Sequence, residues 1–416
     1  MRNSLDNQAI KPLVMRLKRY DNYFFAVLPI SMIIVFVFDQ YDNHNNGTTV
    51  SMRRFVEQLR LRGHEVRVLS TGKEEPYKYN CQEWKGGFGT KWIYNIISSQ
   101  GMVFGKTDET VVREAVTGAD IVHFIMPFGI SLRTLKIVRE MKIPYTSAFH
   151  VQPENILYTI HMEKIWGMKD FIYHLFSNMF YKNVQFIHCP TEFIASELRR
   201  TGYKNDIRVA SNGVHSMFSP TQVERYPELI GKKVILSIGR YSREKRHDVA
   251  IRACALSKHH DDIVLILAGK GCMEKAHRAL AAKLGVHVIW GIYTPEELLK
   301  VINMADLYVH PADAEIEAIA CMEAFTCGIV PVISNHPKSA THMFAIDDRC
   351  KFDHGKPESL ANKIDYWFDN PEEKEAMSKR YVEYAKTYRI ENSVGAMETM
   401  FHDAIAYYQH LYSTVE

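Results

Sequence analysis

Two glutamates eight positions apart, Glu315 and Glu323, sit in an otherwise small and apolar stretch, Ala314-Glu315-Ile316-Glu317-Ala318-Ile319-Ala320-Cys321-Met322-Glu323-Ala324-Phe325-Thr326-Cys327-Gly328. A carboxylate in such surroundings is costly unless it has a partner. Ahead of it, Leu307–His310 reads as a buried strand. Behind it, Gly328 reads as a helix cap and 330–334 as the next strand. The expected element is a short buried helix with Glu315 at its mouth and Glu323 in its body. Eight helical residues span about 12 Å, beyond the roughly 5–10 Å between the paired carboxylates of a glycosidase. The spacing suits an extended ligand held at two points. It fits equally well one carboxylate on a helix dipole and one buried ion pair.

Val234-Ile235-Leu236-Ser237-Ile238-Gly239-Arg240-Tyr241-Ser242-Arg243-Glu244-Lys245-Arg246-His247-Asp248 reads as a strand, a glycine turn and a cluster of cations opening a helix. Fixed cations and helix N–H donors are what a diphosphate needs, although a solvated basic turn has the same composition. Leu267-Ala268-Gly269-Lys270-Gly271 is a weaker signal, lacking the third glycine of a dinucleotide fingerprint. Nearer the front, Asp39-Gln40-Tyr41-Asp42-Asn43-His44-Asn45-Asn46-Gly47 follows a strand, and Gly47 lets backbone approach a ligand. Asp39 and Asp42 lack further clustered ligands, so no metal site is assigned. Phe149-His150-Val151-Gln152-Pro153-Glu154-Asn155 ends another strand and offers one histidine. The chain has no G-x-S-x-G, H-E-x-x-H or C-x-x-C pattern, which removes the usual hydrolase, zincin and redox readings.

Positioning these residues requires a scaffold, and apolar runs alternating with amphipathic stretches supply it. The runs 33–38, 66–69, 121–124, 145–149 and 186–189 precede a polar, turn-rich segment at 210–220. The runs 234–238, 263–268, 286–290, 307–310 and 330–334 follow it. Such alternation means parallel sheets with crossover helices. The expected fold is α/β, with two Rossmann-like domains facing across a cleft. The expected bounds are 32–218 and 219–387, with residues 388–416 forming a terminal helix. At 416 residues, 46% hydrophobic and 24% charged, the chain is long enough for two cores. Seven cysteines without a C-x-x-C pair point to buried free thiols.

Glu-x7-Glu, with Gly328 and Pro331 following, resembles the donor-site signature of the large family of retaining GT-B glycosyltransferases, and Gly239-Arg240 with Lys245 resembles its diphosphate element. The resemblance implies transfer of a hexose, with UDP-glucose as the expected donor, and no cofactor or metal. It places Glu315 and His150 beside the transferred sugar and Arg240 and Lys245 on the diphosphate. Glu323 is placed on the ribose, Gly47 and Gly269 along the nucleotide-sugar, and Ile289 near the base, where it also reads as core. The terminal helix is expected to cross back to the first domain. The family usually carries Gly-Phe-Gly after its first Glu, and here Ile316-Glu317-Ala318 stands instead. That form, with Lys338-Ser339-Ala340-Thr341 downstream, is similar to a bacterial branch that glycosylates diacylglycerol lipids. A transferase with a soluble acceptor and a non-catalytic nucleotide-sugar binder are the alternatives. A dinucleotide oxidoreductase is disfavoured, because neither half carries G-x-G-x-x-G with a ribose-binding acid.

Residues 1–220 carry 27 Lys and Arg against 20 Asp and Glu, the remainder 24 against 28. A basic front half points to an anionic membrane surface as partner, and no motif accompanies the charge that would favour nucleic acid. Arg53, Arg54, Arg60 and Arg62 of an amphipathic helix at 50–63, and the aromatics and lysines of 161–185, are candidates for lipid contact, the latter equally for core. The uncharged run 23–38 is interrupted by Pro29 and falls short of the roughly 20 residues that span a bilayer. Its second part reads as the first strand, with Met32 as a natural start and residues 1–31 as an extension; a membrane anchor is the other reading. The expected location is the cytoplasm, peripheral on the inner face of the membrane.

Overall fold

The computed structural model describes residues 31–43, 47–87, 90–91, 94 and 102–414. Questions about an anchor at residues 1–30 lie outside them. Ile33–Val37, the second part of the run 23–38, is an inner strand of a parallel sheet. It is apolar throughout because it is covered on both faces and paired on both edges. In spatial order the seven strands are Lys78–Asn80, Glu65–Ser70, Ile33–Val37, Ile121–Phe124, Tyr145–Ala148, Phe186–Cys189 and Asp206–Val209, all neighbours parallel. A second parallel sheet has six strands, Val288–Gly291, Ile263–Ala268, Lys233–Ile238, Leu307–His310, Pro331–Ser334 and Lys351–Phe352.

Each sheet reverses its winding once, beside Ile33–Val37 in the first and beside Lys233–Ile238 in the second. Such switch points leave a crevice at the carboxyl ends of the strands, where ligands bind in open α/β sheets. Those ends carry Asp39, Met126 and His150 on one side and Gly239, Arg240 and His310 on the other.

Between the sheets the chain passes through 210–220, and the return pass lies against it. Val214 N–H donates to the carbonyl of Tyr388 (2.7 Å), and Ile390 N–H donates to that of Val214 (3.1 Å). Gly213 has a φ of 73°, and a Cβ there would lie 2.6 Å from the Ile390 Cα, so this close crossing needs glycine. The helix Ile390–Ser413 then packs Val394, Met397, Phe401 and Tyr408 into the core of the first sheet. The Phe401 ring meets Phe36 and His123, and Tyr408 lies 4.6 Å from Tyr145 between ring centroids. The terminal helix therefore does cross back.

The helix expected at 50–63 is observed as Gly47–Leu61. Its arginines do not form a lipid-facing set, because the fold occupies them. Arg53 lies over the Tyr41 ring, and Arg54 pairs with Glu323. Arg60 donates to the Val66 carbonyl, and Arg62 pairs with Glu398 of the terminal helix. Among the aromatics of 161–185, Tyr173, Phe176, Phe180 and Tyr181 are core, whereas Trp166 and Phe171 are exposed. All seven cysteines are free, six of them buried. Among the described residues, no helix is long and apolar enough to cross a membrane.

Candidate active site

Glu315 does not lie in a helix. It occupies an extended segment that bridges Ser339, with its carbonyl accepting from Ala340 N–H (2.9 Å). The helix begins only at Ile319 and runs to Thr326. The turn between them is made by Ala318, whose φ of 55° lies in the left-handed region, at a cost of roughly 1–2 kcal/mol for a residue with a Cβ. This is where the resembling family carries its second glycine. The twelve-ångström helical separation of the two glutamates therefore does not apply.

The Glu315 carboxylate pairs with Lys245 and stands 3.3 Å from Nε2 of His310. Burial works to raise its pKa, but Lys245 and His310 outweigh burial and hold it at about 2, so the group is ionised at neutral pH. Lys245 is brought there by the turn after Lys233–Ile238, and Arg240 of the same turn is 3.5 Å from Glu244. Each cation is thus held beside a carboxylate, which fixes its position before any anionic ligand arrives.

These groups line a cavity of about 560 Å³ between the two sheets. One wall is polar and cationic, with Gly239, Arg240, Lys245, His310 and Glu315. Ala318, Ile319 and Ala320 bring the start of the helix Ile319–Thr326 to the same wall, adding unpaired backbone N–H groups. The opposite wall is largely apolar, with Met102, Phe104, Met126, Phe128, Ile156 and Phe176. His150 enters this space, buried, with Nε2 unpartnered. Burial, and then neighbouring His188, hold its pKa well below the usual range. The imidazole is therefore neutral, suited to a hydroxyl rather than to a charge.

Cross-sheet contacts close the cavity. Gln152 Nε2 donates to the Lys338 carbonyl (2.8 Å), Thr191 Oγ1 to the Ile316 carbonyl (3.0 Å) and Tyr158 OH to Asp313 (3.4 Å). Among the described residues, no group of three His, Cys, Asp or Glu is arranged to hold a metal ion. Asp42 is taken by Lys78, and Asp39 accepts from the backbone of Gly105 and Ile130.

The cavity thus collects five of the residues singled out from sequence: Gly47, His150, Arg240, Lys245 and Glu315. It does not collect Gly269, Ile289 or Glu323. Gly269 packs where a Cβ would meet the Gly239 carbonyl oxygen at 2.0 Å, so its evident task is to let two strand-end loops touch. Ile289 lies in a strand, half-buried against the core of the second sheet. Glu323 is buried and pairs with Arg54 of the first domain at 2.7 Å. Sequence reading passed over Gln152, Asn155 and Asn212 and noted Glu317 only as a departure from pattern. All four line the cavity, and the first two lie two and five positions after His150 in the chain.

The Arg54–Glu323 contact has a testable consequence. The Arg54 guanidinium holds Oε1 of Glu323, so a ribose hydroxyl approaching that oxygen must compete with it. Arg54→Met is expected to tighten UDP binding several-fold in calorimetry while costing about 3–5 kcal/mol of stability, since it strands a buried carboxylate. The same loss of stability with unchanged UDP affinity would leave Glu323 as an ion-pair partner only.

Comparison with known proteins agrees with this architecture. Residues 220–387 match the family model described as glycosyl transferases group 1, and residues 45–216 match that of glycosyltransferase family 4. The α-monoglucosyldiacylglycerol synthase of Streptococcus pneumoniae is 23% identical over 311 residues, covering 71% of this chain and 69% of that protein. A GDP-mannose-dependent α-mannosyltransferase of Corynebacterium glutamicum is 23% identical over 310 residues, covering 72% and 71%. Among solved structures, sucrose-phosphate synthase from Thermosynechococcus elongatus superposes with a TM-score of 0.72 at 14% identity, covering 90% of this chain and 99% of that one. The two family models together cover both sheets except the strand Ile33–Val37, and the chain belongs to the group 1 glycosyltransferases with the GT-B fold.

Proposed function

We propose that the protein transfers a hexose from a nucleotide-sugar, with retention and without a metal, to the hydroxyl of a membrane lipid such as 1,2-diacylglycerol. The supporting observation is the division of the cavity into a cationic wall and an apolar wall, the latter built in part by a chain segment that also carries exposed apolar residues. On the cationic wall, Arg240, Lys245 and the helix N-terminus supply the positive charge that a leaving diphosphate requires. The bond from the anomeric carbon to the diphosphate oxygen breaks with its electrons on the diphosphate. The acceptor oxygen bonds to the same face, and its proton passes to a phosphate oxygen. Neutral His150 and ionised Glu315, both lining the cavity, would orient the sugar hydroxyls.

On the other wall, Ile156, Ile160 and Phe176 line the cavity. The same stretch of chain continues outward through exposed Ile165, Trp166, Phe171, Leu175 and Met179, with Trp166 98% exposed. A lone exposed apolar residue needs no explanation, but a run of them in a chain segment that also lines the cavity supports an interaction site. Exposed Lys164 and Lys182 beside it favour an anionic lipid surface. The identity to the diacylglycerol-glucosylating relative equals that to the GDP-mannose-dependent one, so both donors belong in the assay.

The experiment combines UDP-glucose or GDP-mannose with diacylglycerol in phosphatidylglycerol vesicles. Glycolipid is the expected product, and Trp166→Glu should cut its formation at least tenfold while leaving hydrolysis of the donor unchanged. Efficient transfer to a water-soluble acceptor, with none to vesicles, would replace the lipid reading by a soluble-acceptor transferase.

A further inference from the structure

Apart from His310 Nε2, which stands 3.3 Å from the Glu315 carboxylate, five buried polar atoms without a hydrogen-bond partner belong to residues lining the cavity: His150 Nε2, Gln152 Oε1, Asn155 Oδ1, Asn212 Oδ1 and Glu317 Oε1. Buried polar atoms are almost always paired, so a set of orphans around one cavity marks where a ligand supplies the missing partners. Four of the five are oxygens. The three amide oxygens can only accept, so a ligand that satisfies them must bring hydrogens, as hydroxyl groups do and as an ionised phosphate diester does not.

Glu317 is the informative member. Its backbone belongs to the strained turn before the helix Ile319–Thr326, and its side chain is 2% exposed. One carboxyl oxygen, Oε2, accepts from the backbone N–H of Asn212 at 2.9 Å, which ties it to the segment joining the two sheets. The other oxygen makes no hydrogen bond of ordinary geometry, although the Ser211 and Asn212 side chains lie near the carboxyl group. Phenylalanine is the usual residue here in the family that the sequence resembles, so a carboxyl group replaces an apolar ring in the wall of the cavity. The cations of that cavity, Arg240 and Lys245, are already held by Glu244 and Glu315. Among the described residues, the wall built by the first sheet contributes no cation. An anionic acceptor head group would meet oxygens there and no compensating charge.

We propose that Glu317, with Asn212 and Asn155, forms the subsite that receives the acceptor's hydroxyl group, selecting an uncharged alcohol over a phosphate-bearing head group. The proposal rests on the lipid-acceptor reading above and deepens it. Glu317 acts by binding and orienting the alcohol, and the proton still leaves on the diphosphate.

The test compares the full chain with Glu317→Gln, which keeps a carbonyl oxygen for the Asn212 N–H, and with Asn155→Ala. Two acceptors are offered in vesicles of phosphatidylcholine with the same fraction of phosphatidylserine, so that both surfaces are anionic: 1,2-dioleoylglycerol, which is neutral, and phosphatidylglycerol, which carries free hydroxyls beside a phosphate. Wild type is expected to glycosylate dioleoylglycerol at least tenfold faster. Glu317→Gln should raise the KM for dioleoylglycerol at least fivefold and narrow that preference at least threefold. Acceptor-free donor hydrolysis and UDP affinity should stay within twofold. Asn155→Ala should raise the same KM without changing hydrolysis. Unchanged acceptor KM and preference in both variants would overturn the proposal, as would equal losses in transfer and hydrolysis, which would mark Glu317 as a donor-side or structural residue. A wild type that hydrolyses donor yet glycosylates neither lipid would instead overturn the lipid-acceptor reading, by a result independent of either variant.

Discussion

Lys245→Ala is expected to produce two separable losses. Binding of the free nucleoside diphosphate should weaken by about 1.5–3 kcal/mol, the usual worth of a hydrogen bond to a charged group. The fold should lose about 3–5 kcal/mol as well, because Glu315 is left buried with only His310 beside it. The linkage has a definite sign. Glu315 titrates at about 2 in the fold against 4.5 ordinarily, which corresponds to about 3 kcal/mol of stability at neutral pH. That contribution is fully present above pH 4.5 and disappears as the pH falls toward 2. In Lys245→Ala the downward pull on Glu315 is gone, so this acid-labile part of the stability should shrink. Lys245→Ala/Glu315→Gln should recover most of the stability and none of the nucleotide affinity, since removing both charges removes the desolvation penalty but not the need of the diphosphate for a cation. Denaturation midpoints and calorimetry on the two variants decide it. Unchanged nucleotide affinity in Lys245→Ala would move the diphosphate elsewhere.

Asp39→Asn should make the protein more stable at pH 8 and flatten its stability between pH 4 and 7. Asp39 is fully buried beneath the cavity, with one carboxyl oxygen accepting from Gly105 N–H (2.7 Å) and Ile130 N–H (2.9 Å) and the other unpartnered. Burial raises its pKa from 3.8 to about 7, against the lowering effect of those two donors. A raised acid binds its proton more tightly in the folded state. Stability is therefore intact below pH 4 and declines as the pH rises to 7, by an upper bound of about 4 kcal/mol. Asparagine keeps the carbonyl oxygen that holds the two loops and removes the ionisation. The orphaned amide it introduces costs about 1–3 kcal/mol, leaving a gain above pH 7 that urea denaturation can read. Glu317, raised by burial to about 7, titrates with the same sign, so part of the slope should survive. An undiminished slope in Asp39→Asn would assign all of it to Glu317 and similar groups.

The inner strands were legible because a strand covered on both faces must be apolar along its length, and runs such as Ile263–Ala268 have no other use. Lys78–Asn80, Asp206–Val209 and Lys351–Phe352 were not. They lie at or beside the sheet edges, are short, and carry polar residues where solvent takes over from packing. The helix before Gly328 was legible in kind but not in extent. Its late start depends on a left-handed alanine that local propensity disfavours and the surrounding contacts impose.

The sequence alone determined that two parallel α/β units meet across a cleft, that His150, Arg240 and Lys245 follow strand ends and that Glu315 precedes a helix, because residue periodicity and turn chemistry act over short distances. Tertiary structure decided which charges meet. Glu323 and Arg54 are 269 positions apart in the chain yet share one hydrogen bond, and no local pattern records a partner that distant. It also decided that Arg53, Arg54 and Arg60 of Gly47–Leu61 find partners within the fold and that Trp166 faces outward while Phe176 faces the cavity. Glu317 changed from a departure in a motif into a buried carboxyl group with one oxygen outside any hydrogen bond of ordinary geometry. A side chain's type fixes what it can bind, but only packing fixes what is left for it to bind.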